Sequence, residues 1–265
     1  MAPPPHVEIA AFTPSSALLA AHAGAHRIEL CQDKAADGLT PELDDFTKLK
    51  DQLNEVSPST AATPLVQINI MIRPSSNASV DFTVPEREYS IMREQITQFK
   101  LVGGEGFVFG ILKRDALTEK LRVDEERCGE LVELCRSAGD DGSDEKAQGL
   151  GRRCTFHRAF DRIAVEDMEG ELDVLIKLGF TAVLTSGGGS TAMEGADVVR
   201  RLVERAKGRI DIIVGGGVRS AMVGELRKRT GAEWFHSSAV VGEGEEVCDD
   251  EVRDLRRVLD GTDGS

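Results

Sequence analysis

Five side chains in this sequence are of types suited to proton transfer or anion capture: Glu8, Glu29, Arg73, His157 and His236. Each lies in or at the end of a short apolar segment, so alternation decides where it points. In an extended strand successive side chains face opposite sides of the sheet. The run Gln67-Ile68-Asn69-Ile70-Met71-Ile72-Arg73 puts its three isoleucines on one side. That side belongs against helices, so Gln67, Asn69, Met71 and Arg73 point the other way. The same count turns Glu8 inward between Val7 and Ile9. It turns Glu29 and Cys31 inward, opposite Ile28 and Leu30. His157 shares its parity with Thr155, and His236 shares its own with Ser238. Two carboxylates, a guanidinium and two imidazoles then converge on one cavity mouth, with Arg73 holding the carboxylates ionised. As an enzyme, such a site would carry out proton transfer or carbon–oxygen or carbon–carbon lysis. Glu8 or Glu29 would be the base, His157 the acid and Arg73 the clamp on a carboxylate or oxyanion. No lysine is a strong Schiff-base amine here, and Lys113, just past the fourth apolar segment, is the only near candidate.

A second signal comes from glycines and hydroxyls. Gly215-Gly216-Gly217 and Ser237-Ser238 each follow an apolar run, and Thr185-Ser186 precedes Gly187-Gly188-Gly189. Glycine lets backbone N–H groups approach an anion, and hydroxyls add donors. Thr185, Ser186, Gly215, Gly216, Gly217, Ser237 and Ser238 are therefore expected to bind an anion. The matching substrate is a small anionic, phosphorylated metabolite, and the matching enzyme a lyase or isomerase. A non-catalytic ligand sensor is the other class of reading.

These groups need elements to hold them. Apolar segments at 7–12, 27–31, 65–73, 106–112, 153–160, 182–186, 211–215 and 234–239 read as strands. Amphipathic stretches at 15–23, 42–56, 86–101, 124–138, 165–178, 192–206, 220–230 and 249–259 read as helices. Eight strand–helix units in 265 residues predict a closed α/β fold, the (β/α)8 or TIM barrel, as one domain over residues 1–265. An open doubly wound sheet is the rival, but no G-x-G-x-x-G follows the first strand. Strand ends in a barrel carry its chemistry, which is where Arg73 falls. Segments 57–64 and 137–151 read as solvated insertions on the opposite face. Segment 74–88 follows a strand on the active face, where a lid would sit.

Composition narrows the partners. There are 32 basic and 46 acidic residues, for a net charge of −14. Nucleic-acid affinity comes from neutralising phosphates with basic side chains, so an acidic chain without a basic run argues against it. Anionic membrane surfaces are disfavoured for the same reason. No apolar run reaches the ~20 residues that span a bilayer. The expected location is cytoplasmic. Cysteines 31, 128, 135, 154 and 248 are odd in number and widely spaced, so no disulfide framework is expected.

Several strings together resemble the copper homeostasis protein CutC family, over nearly the whole chain. They are Arg27-Ile28-Glu29-Leu30-Cys31, Gly38-Leu39-Thr40-Pro41, Met71-Ile72-Arg73-Pro74 and Val108-Phe109-Gly110. Next come Thr155-Phe156-His157-Arg158-Ala159-Phe160-Asp161 and Leu184-Thr185-Ser186-Gly187-Gly188. Gly215-Gly216-Gly217-Val218 and His236-Ser237-Ser238-Ala239 complete the set. The resemblance implies a TIM barrel, a cytoplasmic protein, self-association as a homo-oligomer, and copper handling with direct copper binding. It attaches no enzymatic activity. The sequence departs from the family at Ala10, where cysteine is frequent, and at Trp234, where a carboxylate is common. Segment 74–88 is longer than usual. Cu(I) prefers thiolates and thioethers. Cys31 is then the metal ligand, with Met71 deeper, while the histidines and glutamates suit Cu(II) or a harder ion.

Overall fold

The computed structural model describes residues 4–56, 66–75, 81–137 and 152–261. Eight parallel strands close a barrel, and helices wrap its outside. The barrel strands are β1 (His6–Ala11), β2 (Arg27–Leu30), β3 (Gln67–Met71) and β4 (Gly106–Phe109). After a small hairpin, β5 (Leu112–Arg114) with β6 (Leu121–Val123), come β7 (Arg153–Phe156), β8 (Ala182–Thr185), β9 (Asp211–Val214) and β10 (Trp234–Ser237). Each barrel strand pairs with its sequence neighbour, β4 with β7, and β10 closes on β1.

Short strands suffice because closure leaves no edge unpaired. The helices are α1 (Pro14–His22), α2 (Leu43–Val56), α3 (Glu86–Leu101), α4 (Glu125–Arg136), α5 (Met168–Leu178), α6 (Ala196–Ala206), α7 (Ser220–Thr230) and α8 (Asp249–Asp260). Local chemistry sets several of their ends. The Thr13 hydroxyl accepts the Ser16 N–H at 3.1 Å, with Pro14 in the first turn. The Asp124 carboxylate accepts the Arg127 N–H at 3.3 Å. Capping oxygens of this kind satisfy N–H groups that have no partner inside the helix.

The main core lies between barrel and helices. Ile28, Leu30, Ile70 and Ile72 are fully buried in it, as alternation expects. Phe109 and Phe156 pack against Phe180, with ring centroids 5.3 and 5.5 Å apart. The opposite parity fills the barrel interior. Asn69 donates to the Thr155 hydroxyl there at 3.5 Å, and Cys31, Met71 and Val108 form a separate small cluster.

Several expected strands overrun the observed ones, and two of them run into a different element. The 106–112 strand stops at Phe109, and the chain then enters the antiparallel β5–β6 hairpin. The 153–160 strand stops at Phe156 and turns into a 3-10 segment, Arg158–Arg162, capped by His157. Both runs stay apolar past the strand end because Ile111, Leu112, Ala159 and Phe160 are buried off the sheet. Apolar character marks burial, whereas strand pairing also needs a neighbour at the right height. The expected insertion at 57–64 lies outside the described residues, as does 138–151 of the other. Within 74–88 the described part includes Phe82, which faces the cavity beside Arg73 and His157.

Candidate functional site

Barrel register determines the site's central contacts. Opposite Glu8 on β1 stand His236 on β10 and Arg27 on β2. Glu8 is fully buried and pairs with the Arg27 guanidinium through its Oε2. Its Oε1 lies 2.7 Å from His236 Nδ1. Burial alone would raise the Glu8 carboxyl, but Arg27 and then His236 outweigh it and hold it well below the usual range. An ionised carboxylate only accepts, so His236 Nδ1 carries the proton and donates it to Glu8. His236 Nε2 then faces Glu29 Oε2 at 3.8 Å.

The next link is sulfur. The Cys31 thiol lies 3.6 Å from the same Glu29 oxygen and donates to it. Burial, followed by the Glu8 charge, pushes Glu29 up, against the pull of His236. Burial also pushes the Cys31 thiol well above its ordinary value, and Glu29 adds to that. His236 is lowered by burial but raised more by Glu29 and Glu8, so its net shift is upward. One ligand atom from each of Glu8, Glu29 and His236 fits within a 4.8 Å spread, close enough that the three could hold a metal ion.

Arg73 does not hold these carboxylates, contrary to expectation. Its Nη1 donates to the carbonyls of Ala36 at 2.6 Å and Gly38 at 3.2 Å, and its N–H donates to the Thr40 hydroxyl at 2.8 Å. Arg73 thus fastens the loop after β2 and lines the cavity. The guanidinium that serves Glu8 is Arg27, whose parity with Glu29 placed it inward all along. Its Cζ lies over the Trp234 ring, 3.8 Å from the centroid, and Trp234 stacks on His6 at 4.5 Å.

His157 lies on the far side of the same cavity. Its Nδ1 accepts the Ala159 N–H at 3.3 Å. Gly110 has no side chain because a Cβ there would come within 2.7 Å of that ring. Burial, helped by Arg73, lowers His157 to about 3. It is therefore neutral at physiological pH, so a proton for acid catalysis would have to come from the neutral ring. Lys113 is exposed on the β5–β6 hairpin and does not line the cavity, which removes it as a Schiff-base amine.

The expected anion donors divide. Thr185 Oγ1 donates to Asp161 at 2.5 Å, and the Ser186 N–H and hydroxyl donate to the same carboxylate at 2.9 and 3.0 Å. Asp161 is also paired with Arg158 at 2.8 Å. An internal anion thus already takes Thr185 and Ser186. The Gly215 N–H donates to the Thr185 carbonyl, and the Ser237 hydroxyl donates to the Val218 carbonyl. Gly216, Gly217 and Ser238 keep free N–H groups, with no protein acceptor among the described residues. Asp161 and Arg158 were legible only inside the recognised string, as polar residues beside His157.

A cavity of about 890 Å³ joins these groups. Glu29, Cys31, Arg73, His157, His236 and Gly217 all line it, and Glu8 lies beneath. The fold and this mouth define a (β/α)8 barrel with a buried carboxylate–imidazole–thiol chain at its rim. The family model that matches is that of the CutC family, over residues 6–241. The chain belongs to the CutC family. A human relative, described as a copper homeostasis protein cutC homolog, is 35% identical over 233 residues, 88% of this chain and 72% of that one. A family protein CutC of Treponema denticola is 36% identical, covering 88% of this chain and 81% of that one. Among solved structures, one assigned to CutC from Streptococcus agalactiae superposes with a TM-score of 0.72 at 27% identity, covering 88% of this chain and 98% of that one.

Proposed function

We propose that this protein handles copper by binding the ion directly at the barrel mouth, through Cys31 Sγ, His236 Nε2 and Glu29. The observation that carries the reading is the linked chain Arg27–Glu8–His236–Glu29–Cys31. A carboxylate that fixes one imidazole nitrogen leaves the other as a directed ligand. The donor types fit copper. Thiolate and imidazole suit Cu(I), and carboxylate with imidazole suits Cu(II). The Met71 thioether packs with Cys31 and offers a further soft donor. With Ala10 in place of a second thiol, the site has one cysteine, and its affinity is modest. The names of the human relative and of the Streptococcus agalactiae structure, which refer to copper homeostasis, favour this reading over a lyase or isomerase. The reading includes a cytoplasmic location and self-association.

Competition against a Cu(I) chelator tests it. Cys31→Ala should lose binding, and Glu29→Gln should weaken it. Cys128→Ala should bind as the wild type does, because Cys128 is buried in α4, where its thiol donates to the Ile111 carbonyl. Equal binding by the Cys31 and Cys128 variants would remove Cys31 as a ligand.

A further inference from the structure

The cavity is more cationic than the chain around it. The protein carries a net charge of −14, yet Lys34, Arg73, Arg158, Arg162 and Arg219 line this space against Glu29, Asp37 and Asp161. Asp161 is already taken by Arg158 and by the turn after β8. Among the described residues Arg219 donates only to neutral acceptors: Val218 O, Val240 O and the Ser237 hydroxyl, at 2.9, 3.0 and 2.9 Å. The Arg73 guanidinium likewise donates only to carbonyls among the described residues and lies over the neutral Phe82 ring. A concave site lined by uncompensated cations concentrates anions.

Directed donors stand beside this charge. β9 and β10 are neighbours in register, Val214 against Phe235, so their end turns lie side by side. The N–H groups of Gly216, Gly217 and Ser238 in those turns have no protein acceptor among the described residues. A Cβ on Gly216 would lie 3.5 Å from Arg158 Cζ, so that guanidinium rests against the turn. Arg158 uses Nε on Asp161 and Nη2 on Ser186, which orients it and leaves Nη1 without an acceptor among the described residues. A Cβ on Gly217 would meet nothing within 4 Å, so the space in front of the turn is open.

We infer that the turns after β9 and β10, with Arg158, form a binding site for the phosphate dianion, either free or as the phosphoryl group of a small molecule. Three backbone donors and one guanidinium match the peripheral oxygens of a phosphate, which accepts such bonds strongly. The cavity is far larger than one phosphate, and it extends to Glu29, His236 and Arg73. A phosphomonoester would direct its organic part there. The site shares no residue with the proposed copper donors and stands without them.

The test uses the full chain without copper, with inorganic phosphate, glycerol phosphate and sodium chloride as probes at equal ionic strength. Both phosphates should raise the melting temperature beyond chloride, and calorimetry should give a dissociation constant. Arg158→Gln should weaken phosphate about tenfold or more, the scale of one charge-assisted hydrogen bond. Gly217→Asp should abolish the response by placing a carboxylate where the anion sits. Aspartate tolerates the left-handed backbone at this position (φ 75°). Gly216→Asp is a poorer probe, because its Cβ would press on Ser186 Cβ at 3.0 Å. Circular dichroism and melting in chloride report whether each variant folds. Tighter binding of glycerol phosphate assigns the site to phosphorylated small molecules, and tighter inorganic phosphate assigns it to the free ion. Equal shifts with phosphate and chloride in the wild type would overturn the proposal. So would unchanged phosphate affinity in both variants. Cys31→Ala should keep the full phosphate response, and its loss there would place the anion at the copper donors instead and overturn the site.

Discussion

Glu8 sits between a guanidinium and an imidazole, and both depend on its charge. Its lowered carboxyl stabilises the fold above its unfolded value of about 4.5, and that contribution is lost as pH falls through the lower folded value. His236 runs the other way. Its raised folded value contributes fully below about 6.5, and the contribution is lost as pH rises through the folded value. Glu8→Gln removes the common partner. Arg27, buried with its guanidinium over the Trp234 ring, would keep its charge without a counter-ion. Breaking a buried pair in this way costs about 3–5 kcal/mol, which chemical denaturation should register. The His236 ring should then titrate lower than in the wild type, read by NMR. An unchanged midpoint would mean that Glu8 does not set the charge of His236.

At the scale of elements, the turns after strands organise the mouth as much as the strands do. Asp161, in the 3-10 turn after β7, gathers the Thr185 hydroxyl and the N–H groups of Ser186 and Gly188 from the turn after β8. Asp161→Asn keeps the shape but loses the charge and one acceptor oxygen. Leaving such donors unsatisfied costs about 1–3 kcal/mol. The Ser186 and Gly188 amides should exchange faster with deuterium, and Arg158 should lose its anchor. If exchange there is unchanged, Asp161 does not order the turn. Such turns are poorly legible in sequence. The strands declared themselves through alternation, as in the isoleucines of β3. The ends of β4 and β7 did not, because Ile111 and Phe160 are as apolar as the strand residues before them.

At the scale of the whole molecule, the proposed copper donors come from β2, the residue just past its end and β10, and β2 and β10 are the two neighbours of β1 where the barrel closes. A ligand that bridges this seam and binds only the folded barrel stabilises it by about 2.7 kcal/mol at a hundred times its dissociation constant. Cu(I) should therefore raise the melting temperature of the full chain, and Cys31→Ala should cancel the rise. The Cys31 thiol is held protonated, so metal binding must displace its proton. The thiol proton alone makes the apparent affinity grow about tenfold for each pH unit between about pH 6 and pH 8, and below the raised His236 value the Nε2 proton must leave as well, which steepens the slope. A flat profile in chelator competition would show that Cys31 releases no proton on binding.

The sequence by itself determined the barrel, the eight strands that form it, though not the β5–β6 hairpin, and the inward set of Glu8, Glu29, Cys31 and Asn69. Those follow from alternation and from the order of apolar segments, which are local properties of the chain. Partnership was decided only in three dimensions. Arg27 rather than Arg73 neutralises Glu8, because barrel stagger sets Arg27 level with Glu8 and leaves Arg73 beyond the end of β3. Thr185 and Ser186 face a carboxylate from another turn, at a sequence distance no spacing rule spans. Register between strands depends on how the sheet closes, and the pattern along any one strand contains no record of it.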